Sequence, residues 1–327
     1  MRIPRPGRFE LVAALFLAVT AVAALRSAHG WTGNDFRIYG VAGRTMLSAA
    51  WLHAYANPLV QAGPLELALD GTLYRLSRWP VAMALVSDLL VAVLFVVAVR
   101  VFAGRKALPL GVACAGAVAL GIVTNPYTLG HFAEPIAAIL WLFAARDAQR
   151  GRVLRAGLLV GVAAGFEPWG ILGIAVLALA PDLRAAARGA AVAAGLLAVQ
   201  FLPFPLGGHF HMLDYRWHVT GGPLRLVMPG KAFGWPLRVL QASVTLALAG
   251  LLARRVRSVG AAVFIVPAAA AIVRLSIDPM GTYYYWDAPL VIELVGVAAA
   301  IANRDAIRAW VEHRVGRAVE TDVVLET

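Results

Sequence analysis

Asp35 lies in the run Trp31-Thr32-Gly33-Asn34-Asp35-Phe36-Arg37-Ile38-Tyr39, just past the first long apolar segment of the chain. A carboxylate beside an arginine and aromatic rings can take a proton from a substrate hydroxyl, and such general-base help is worth roughly 10²- to 10⁴-fold. Transfer from a phosphate-linked donor needs that base and a stabiliser for the departing phosphate, which leaves without a general acid. Arginine suits the second role because its planar fork binds two phosphate oxygens at once. Arg37 and Arg44 are nearest to Asp35 in sequence, while Arg216, Arg225 and Lys231 sit on a distant loop. The plainer reading of Asp35 is a turn or N-cap residue after Gly33-Asn34.

A second cluster, Asn125-Pro126-Tyr127-Thr128-Leu129-Gly130-His131-Phe132-Ala133-Glu134-Pro135, puts His131 and Glu134 on one helix face at i, i+3 spacing. A glutamate at the end of a membrane span is costly unless it has a partner or a task, so Glu134 either pairs with His131 or meets a substrate. Glu167, in Phe166-Glu167-Pro168-Trp169-Gly170, either binds a hydroxyl or faces water. Tyr39 joins His131, Glu134 and Glu167 as a candidate for holding a hydroxyl-rich acceptor. A third cluster holds His209, His211, Asp214, Arg216 and His218, but its spacing matches no strong ligand pattern, so no metal and no cofactor are expected. Tyr283-Tyr284-Tyr285-Trp286 reads as an aromatic belt at headgroup depth, with Asp287 as a helix N-terminal carboxylate. Asp88 and Glu293 fall inside apolar blocks, where carboxylates default to a functional or paired role.

The elements that would position these residues are membrane helices. With 61% apolar and 14% charged residues and a mean hydropathy of +0.75, the chain has too few polar groups to cover a soluble globule of 327 residues. Its net charge of +11 comes from short clusters between apolar blocks, which carries topology information and gives no nucleic-acid footprint. The lone cysteine, Cys114, excludes an intrachain disulfide and a zinc-cysteine site. Apolar periodicity predicts about ten spans, near 10–26, 80–99, 107–124, 132–146, 153–166, 169–181, 186–204, 235–252, 258–274 and 286–302. The fifth and sixth are short, and Glu167-Pro168 between them is either a tight turn or a kink in one helix. An uncleaved first span is simpler than a secretory signal, since Arg26 follows it directly.

The termini and the loops they share a side with hold about 19 of the 29 Lys and Arg residues, which makes both termini cytoplasmic. The outer face then carries long loops at 27–79, 205–234 and 275–286. Met46, Ala49, Ala50 and His53 recur at helical spacing, predicting an interfacial amphipathic helix over 41–55. The tail shows a stripe of Ile307, Trp310, Val311 and Val315 suited to the anionic inner leaflet. The fold class expected is therefore all-α, a polytopic transmembrane helical bundle of one domain, 1–302, followed by a cytoplasmic amphipathic tail, 303–327.

No Walker loop, no dinucleotide-binding glycine fingerprint and no Asp-x-Asp pair occurs, so a cytosolic nucleotide-sugar donor has no visible seat. The chain resembles the GT-C superfamily of polytopic glycosyltransferases, and within it glycosyltransferase family 87, the polyprenyl-phosphate-mannose-dependent mannosyltransferases of actinobacteria. The stretches that carry the resemblance are Asp35-Phe36-Arg37-Ile38-Tyr39 with Gly43-Arg44, Gly130-His131-Phe132-Ala133-Glu134, Arg155 to Gly161 leading to Pro168-Trp169, and Leu202-Pro203-Phe204. They cover about the first two-thirds of the chain. The resemblance implies an outward-facing cavity, inverting transfer of a sugar from a polyprenyl-phosphate donor to a glycolipid or cell-envelope glycan, and Asp35 as the general base. It places the protein in the inner (plasma) membrane. Arg37, Arg44, Arg216 and Lys231 are the donor-phosphate candidates. One departure bears on the donor contact: family members often carry a basic residue before the Pro-Trp pair, and this chain has Glu167. The rival readings are a transporter or lipid flippase working through Asp88 and Glu293, and an inactive relative serving as an assembly partner.

Overall fold

The computed structural model describes residues 7–28, 30, 34–76, 79–305 and 308. These residues form fourteen α-helices and one two-residue strand pair. The chain opens with α1 (Arg8–Ser27), then a helical hairpin of α2 (Asn34–Met46) and α3 (Pro64–Tyr74). It continues through α4 (Pro80–Ala103), α5 (Ala107–Ala119), the short α6 (Asn125–Leu129), α7 (Ala133–Gln149) and α8 (Val153–Phe166). A 3-10 segment, Pro168–Leu179, leads to α9 (Leu183–Phe201) and the short α10 (Pro203–Gly207). After a loop containing the strands β1 (Trp217–His218) and β2 (Ala232–Phe233) with α11 (Leu224–Val227) between them, the chain ends in α12 (Trp235–Val256), α13 (Ala262–Ser276) and α14 (Asp287–Ala302).

Among the described residues, five stretches are long and apolar enough to cross a bilayer, the mark of a membrane protein: α1, α4, Leu183–Gly207, α12 and Tyr283–Ala302. α1 shows why. It buries Phe9, Phe16, Thr20 and Ala24 on one side and leaves Leu11, Leu15, Val19, Val22 and Leu25 exposed on the other. In water such a stripe is a large apolar patch, whereas hydrocarbon is its natural solvent. Inside the bundle, α4, α7 and α14 meet through small residues, including Ala92, Ala137, Ala138 and Ala298, which let helix backbones approach closely.

The breaks between apolar blocks follow local chemistry. Pro64, Pro80 and Pro236 sit at helix starts, where a missing N–H removes no helical bond. Asp182 caps α9 by accepting from the Ala185 N–H at 2.7 Å. Glu167 is extended, at φ −134° and ψ 133°, and Gly170 packs so tightly on α8 that a Cβ there would lie 2.3 Å from the Ala163 carbonyl oxygen. The region 153–181 is thus two elements side by side and not one kinked helix. The 3-10 form compensates for the short second element, because 12 residues at about 2.0 Å each reach roughly 24 Å, against about 18 Å as an α-helix.

The expected amphipathic helix over 41–55 is corrected. The helix here is α2, and it starts at Asn34 and stops at Met46. Ser48 ends it: its hydroxyl donates to the Thr45 carbonyl at 2.7 Å and accepts from the Ala50 N–H at 3.1 Å, replacing the next helical bonds. Only one 3-10 turn, Trp51–His53, follows. The sequence reading also missed α3. The tail residues Ile307, Trp310, Val311 and Val315, like Trp31, Thr32 and Gly33, lie outside the described residues.

The two ends of the bundle differ. At one, Arg105 pairs with Glu10, Lys106 meets the Ala302 carbonyl, and Arg146 covers the Phe102 ring. There too Gln149 donates to the Arg257 and Val259 carbonyls, at 3.1 and 3.0 Å, and Arg254 and Arg257 donate to Ala180 and Pro181. These contacts draw the arginine-rich turns together. The opposite end gathers the α2–α3 hairpin, the turn before α7, Glu167, the strand loop and the segment before α14.

Candidate functional site

The site is built where α2 meets the turn before α7. α2 is laid against α3 by Gly43 and Gly71: a Cβ on Gly43 would come within 2.1 Å of the Leu67 carbonyl oxygen, and one on Gly71 within 2.3 Å of Gly43 backbone. Its first turn then touches the α6–α7 turn through Gly130, whose φ of +75° is left-handed and whose absent Cβ would sit 2.6 Å from Phe36 Cα. Phe36 itself is buried among Tyr74, Tyr127 and Phe132. Aromatic packing and one glycine therefore fix the residue next to Asp35.

That fixed turn brings Asp35 to His131. The Asp35 Oδ2 and His131 Nε2 are 2.9 Å apart, with the Asp35 side chain 42% exposed and that of His131 4%. The imidazole is stacked on Tyr284, 3.9 Å between centroids at 17°, with Tyr39 edge-on at 6.2 Å. Its other nitrogen, Nδ1, lies 3.7 Å from Glu134 Oε2, beyond hydrogen-bond reach. Glu134 is fully buried and Glu167 nearly so. One ligand-type atom from each of His131, Glu134 and Glu167 falls within 4.8 Å of the others. Neither Glu134 oxygen has a hydrogen-bond partner among the described residues, nor has His131 Nδ1.

Asp35, Tyr39, His131 and Glu167 open on a cavity of about 250 Å³. Its far wall comes from α12 and α13 and carries Arg238 and Arg274. Arg238 donates to Asp278 Oδ2 at 2.8 Å and to Gln241 Oε1 at 2.9 Å, and its guanidinium lies 4.1 Å from the Trp217 ring centroid. Arg274 is 3.6 Å from the same Asp278 oxygen and lies between Trp169 and Tyr285, at 4.3 and 4.7 Å. Two guanidinium ions share one carboxylate, so this wall keeps a net positive charge. Between the walls run Ile171, Leu172, Met212, Val239 and Ala242, an apolar floor, with Trp235 at one side.

The sequence reading thus named Asp35, Tyr39, His131, Glu134 and Glu167, which the fold brings together, and Arg37, Arg44, Arg216 and Lys231, which it does not. None of those four cations lines the cavity, and all are exposed; Arg44 covers the outer face of Tyr74 at 4.8 Å. Arg238 and Arg274 went unnoticed, although both sit inside blocks assigned as spans, where an ionisable residue is itself a signal. Glu66 and Asp70 on α3 were missed as well. Both are fully buried, and their carboxyl oxygens have no well-formed hydrogen bond among the described residues. Burial pushes the Glu66 carboxyl well up, with the charges of Glu167, Asp70 and Glu134 adding to it, and burial alone does the same to Asp70.

Other candidates resolve into structural roles. Asp88 accepts from the Tyr127 N–H at 3.1 Å, holding α6. Both Asp287 oxygens accept from the Asn125 side-chain amide, at 3.1 and 2.9 Å. Glu293 is exposed on α14. His209 packs on His53, His211 pairs with Asp214 at 2.8 Å, and the exposed His218 lies on β1. Tyr284 and Tyr285, expected in an aromatic belt, instead form cavity wall. No protein family matches the sequence, and neither a curated protein nor a solved structure does.

Proposed function

We propose that the protein is a membrane glycosyltransferase that moves a sugar, mannose by its resemblance to family 87, from a polyprenyl-phosphate donor to a glycolipid or envelope-glycan acceptor. The observation that carries this reading is the opposition across one cavity of the Asp35–His131 pair and the Arg238–Arg274 pair. An acceptor hydroxyl held near Asp35 attacks the anomeric carbon from the face away from the phosphate, and its proton passes to the Asp35 carboxylate. The bond from the anomeric carbon to the phosphate oxygen breaks, and polyprenyl phosphate leaves with both electrons of that bond. The configuration inverts. Arg238 and Arg274 stabilise the charge that develops on the leaving group, because guanidinium ions in a site with little water act more strongly than in bulk solvent. The apolar floor of Ile171, Leu172 and Val239 suits the first isoprene units.

In this reading all ten apolar blocks cross the bilayer. The arginine-rich turns face the cytoplasm with both termini, and the cavity opens on the outer side of the plasma membrane. Membrane lipids are its surroundings and nucleic acid has no part. The transporter reading draws less support, since one Asp88 oxygen is held by a backbone N–H and Glu293 is exposed on α14.

The test is sugar transfer in proteoliposomes supplied with polyprenyl-phosphate mannose and a lipid extract as acceptor. The unaltered protein should transfer, and Asp35→Asn should lower the rate by about 10²- to 10⁴-fold. Its half-exposed side chain makes a folding defect a poor alternative explanation, and an unchanged thermal transition would confirm that. Equal transfer by Asp35→Asn removes the base; no transfer by the unaltered protein with any polyprenyl-phosphate sugar removes the activity.

A further inference from the structure

We infer that His131, Glu134 and Glu167 form a binding site for one divalent cation that accepts mixed nitrogen and oxygen ligands, Mn²⁺ or Zn²⁺, with Asp35 as the group that orients the histidine. Three separate observations lead there. The three ligand atoms lie within 4.8 Å of one another on residues from two elements, the start of α7 and the α8 end. Glu134 is fully buried, and both its oxygens lack a hydrogen-bond partner among the described residues, as does His131 Nδ1. Native interiors seldom leave such groups unpaired, so a set of them converging on one point calls for a water or an ion between them.

The third observation is the hydrogen bond on the opposite side of the ring. With Nε2 donating to Asp35 at 2.9 Å, Nδ1 is the ring nitrogen turned toward the Glu134 carboxylate, 3.7 Å away. When Nδ1 carries a lone pair, the two facing acceptors repel unless something positive lies between them. Two ligands of one ion, each about 2.1 Å from it, stand roughly 3 to 4 Å apart. The His131–Glu134 separation has that value, and the Glu167 ligand atom, within 4.8 Å of both, joins after a side-chain shift on the order of 1 Å. A carboxylate–histidine–metal chain is how proteins set the tautomer and aim of a ligating imidazole, and Asp35 supplies the carboxylate. Arg274 acts on Glu134 and Glu167 only through its charge; its direct contacts are with Asp278 and two aromatic rings. Three protein ligands leave open positions on the ion, and Glu167 directs them toward the cavity.

Binding is measured without donor or acceptor, so this inference and the transferase reading fail separately. The full chain in lipid nanodiscs, stripped with EDTA, is titrated with MnCl₂, and free Mn²⁺ is followed by its electron paramagnetic resonance signal. A single saturable ion per chain is expected, displaced by ZnCl₂ because zinc stands above manganese in the affinity order. Glu134→Gln and Glu167→Gln should each weaken binding by more than tenfold, and Asp35→Asn by about 10- to 100-fold as a supporting partner. Mn²⁺ should raise the thermal transition of the unaltered protein and leave that of Glu134→Gln where it was, which keeps the result readable if a variant is altered in stability. Absence of saturable binding, or equal affinity in Glu134→Gln, overturns the site. So does binding that survives in Glu134→Gln and is lost in His211→Ala, which would put the ion on the surface loop.

Discussion

The two walls of the cavity are made differently. The carboxylate wall is assembled from a helix start, a turn and a break between helices, namely Asp35, His131, Glu134 and Glu167, and several of its polar atoms have no partner among the described residues. The guanidinium wall comes from the interior of two helices, and its charges are met by Asp278, by Gln241 and by ring faces. One wall is complete within the protein and the other is not. A complete wall is preorganised for whatever binds it, while an incomplete one marks where a ligand or a reacting group enters. Substitutions on the carboxylate wall should therefore act on kcat with little change in the donor KM, and those on the guanidinium wall, which grips the donor phosphate before and during its departure, on both.

After Asp35→Asn, the largest effect on the carboxylate wall is expected from Gly130→Ala. Alanine at φ +75° costs about 1–2 kcal/mol for the left-handed backbone, and its Cβ would collide with Phe36 backbone at 2.6 Å. That collision pushes Asp35 from His131, and a displacement near 1 Å can lower a rate by about 10²-fold. Gly104→Ala is the control, with φ +72°, ψ −164° and nothing within 4 Å of its Cβ. That backbone region is close to glycine-only, so the variant should lose at least as much thermal stability and keep its kcat. Equal loss of activity in both variants would mean that the α2–α7 contact does not place the base.

The guanidinium wall is tested by Arg238→Gln, alone and with Asp278→Asn. The single change leaves Asp278, 1% exposed, short of its 2.8 Å partner, and breaking a buried pair typically costs about 3–5 kcal/mol; Arg274 at 3.6 Å puts the loss at the low end. The double variant should regain much of that stability while its donor KM stays about tenfold high, one lost charge-assisted contact being worth roughly 1.5–3 kcal/mol. Stability and donor affinity recovering together would show that the arginine serves the fold alone.

How much of this was legible in the sequence follows from the same contrast. Apolar blocks and proline starts gave the helices, because hydrocarbon rewards long apolar runs and proline tolerates only a helix's first turn. Asp35, His131, Glu134 and Glu167 were legible because they interrupt apolar sequence beside turn residues. α3 was not, since Pro64–Tyr74 mixes apolar residues with Glu66 and Asp70, and carboxylates that a helix buries look in sequence like those of a solvated loop. Nor were Arg238 and Arg274, because an arginine near a helix end is ordinarily a topology signal, and only packing reveals that these two face inward. The pairing of Asp35 with His131 depends on a close approach at Gly130 that no periodicity can read; a sequence separation of 96 hides it.

The smallest effects should come from the cations nearest to Asp35 or most exposed. Arg37→Ala, Arg44→Ala, Arg216→Ala and Lys231→Ala each remove a charge outside the cavity lining, where solvent and salt screen it over about 8–10 Å. Each should change the donor KM by less than about twofold at physiological salt, and the change should shrink as salt rises, since rim charges act on encounter more than on binding. Arg44→Ala has one added consequence, because its guanidinium covers Tyr74, which packs against Phe36; a slight fall in thermal stability should accompany it. Donor KM values measured at low and high salt decide the matter. A tenfold, salt-insensitive rise in any of the four would move the phosphate grip from the α12–α13 wall to the outer rim, and the contrast between a complete and an incomplete wall would then describe packing and not catalysis.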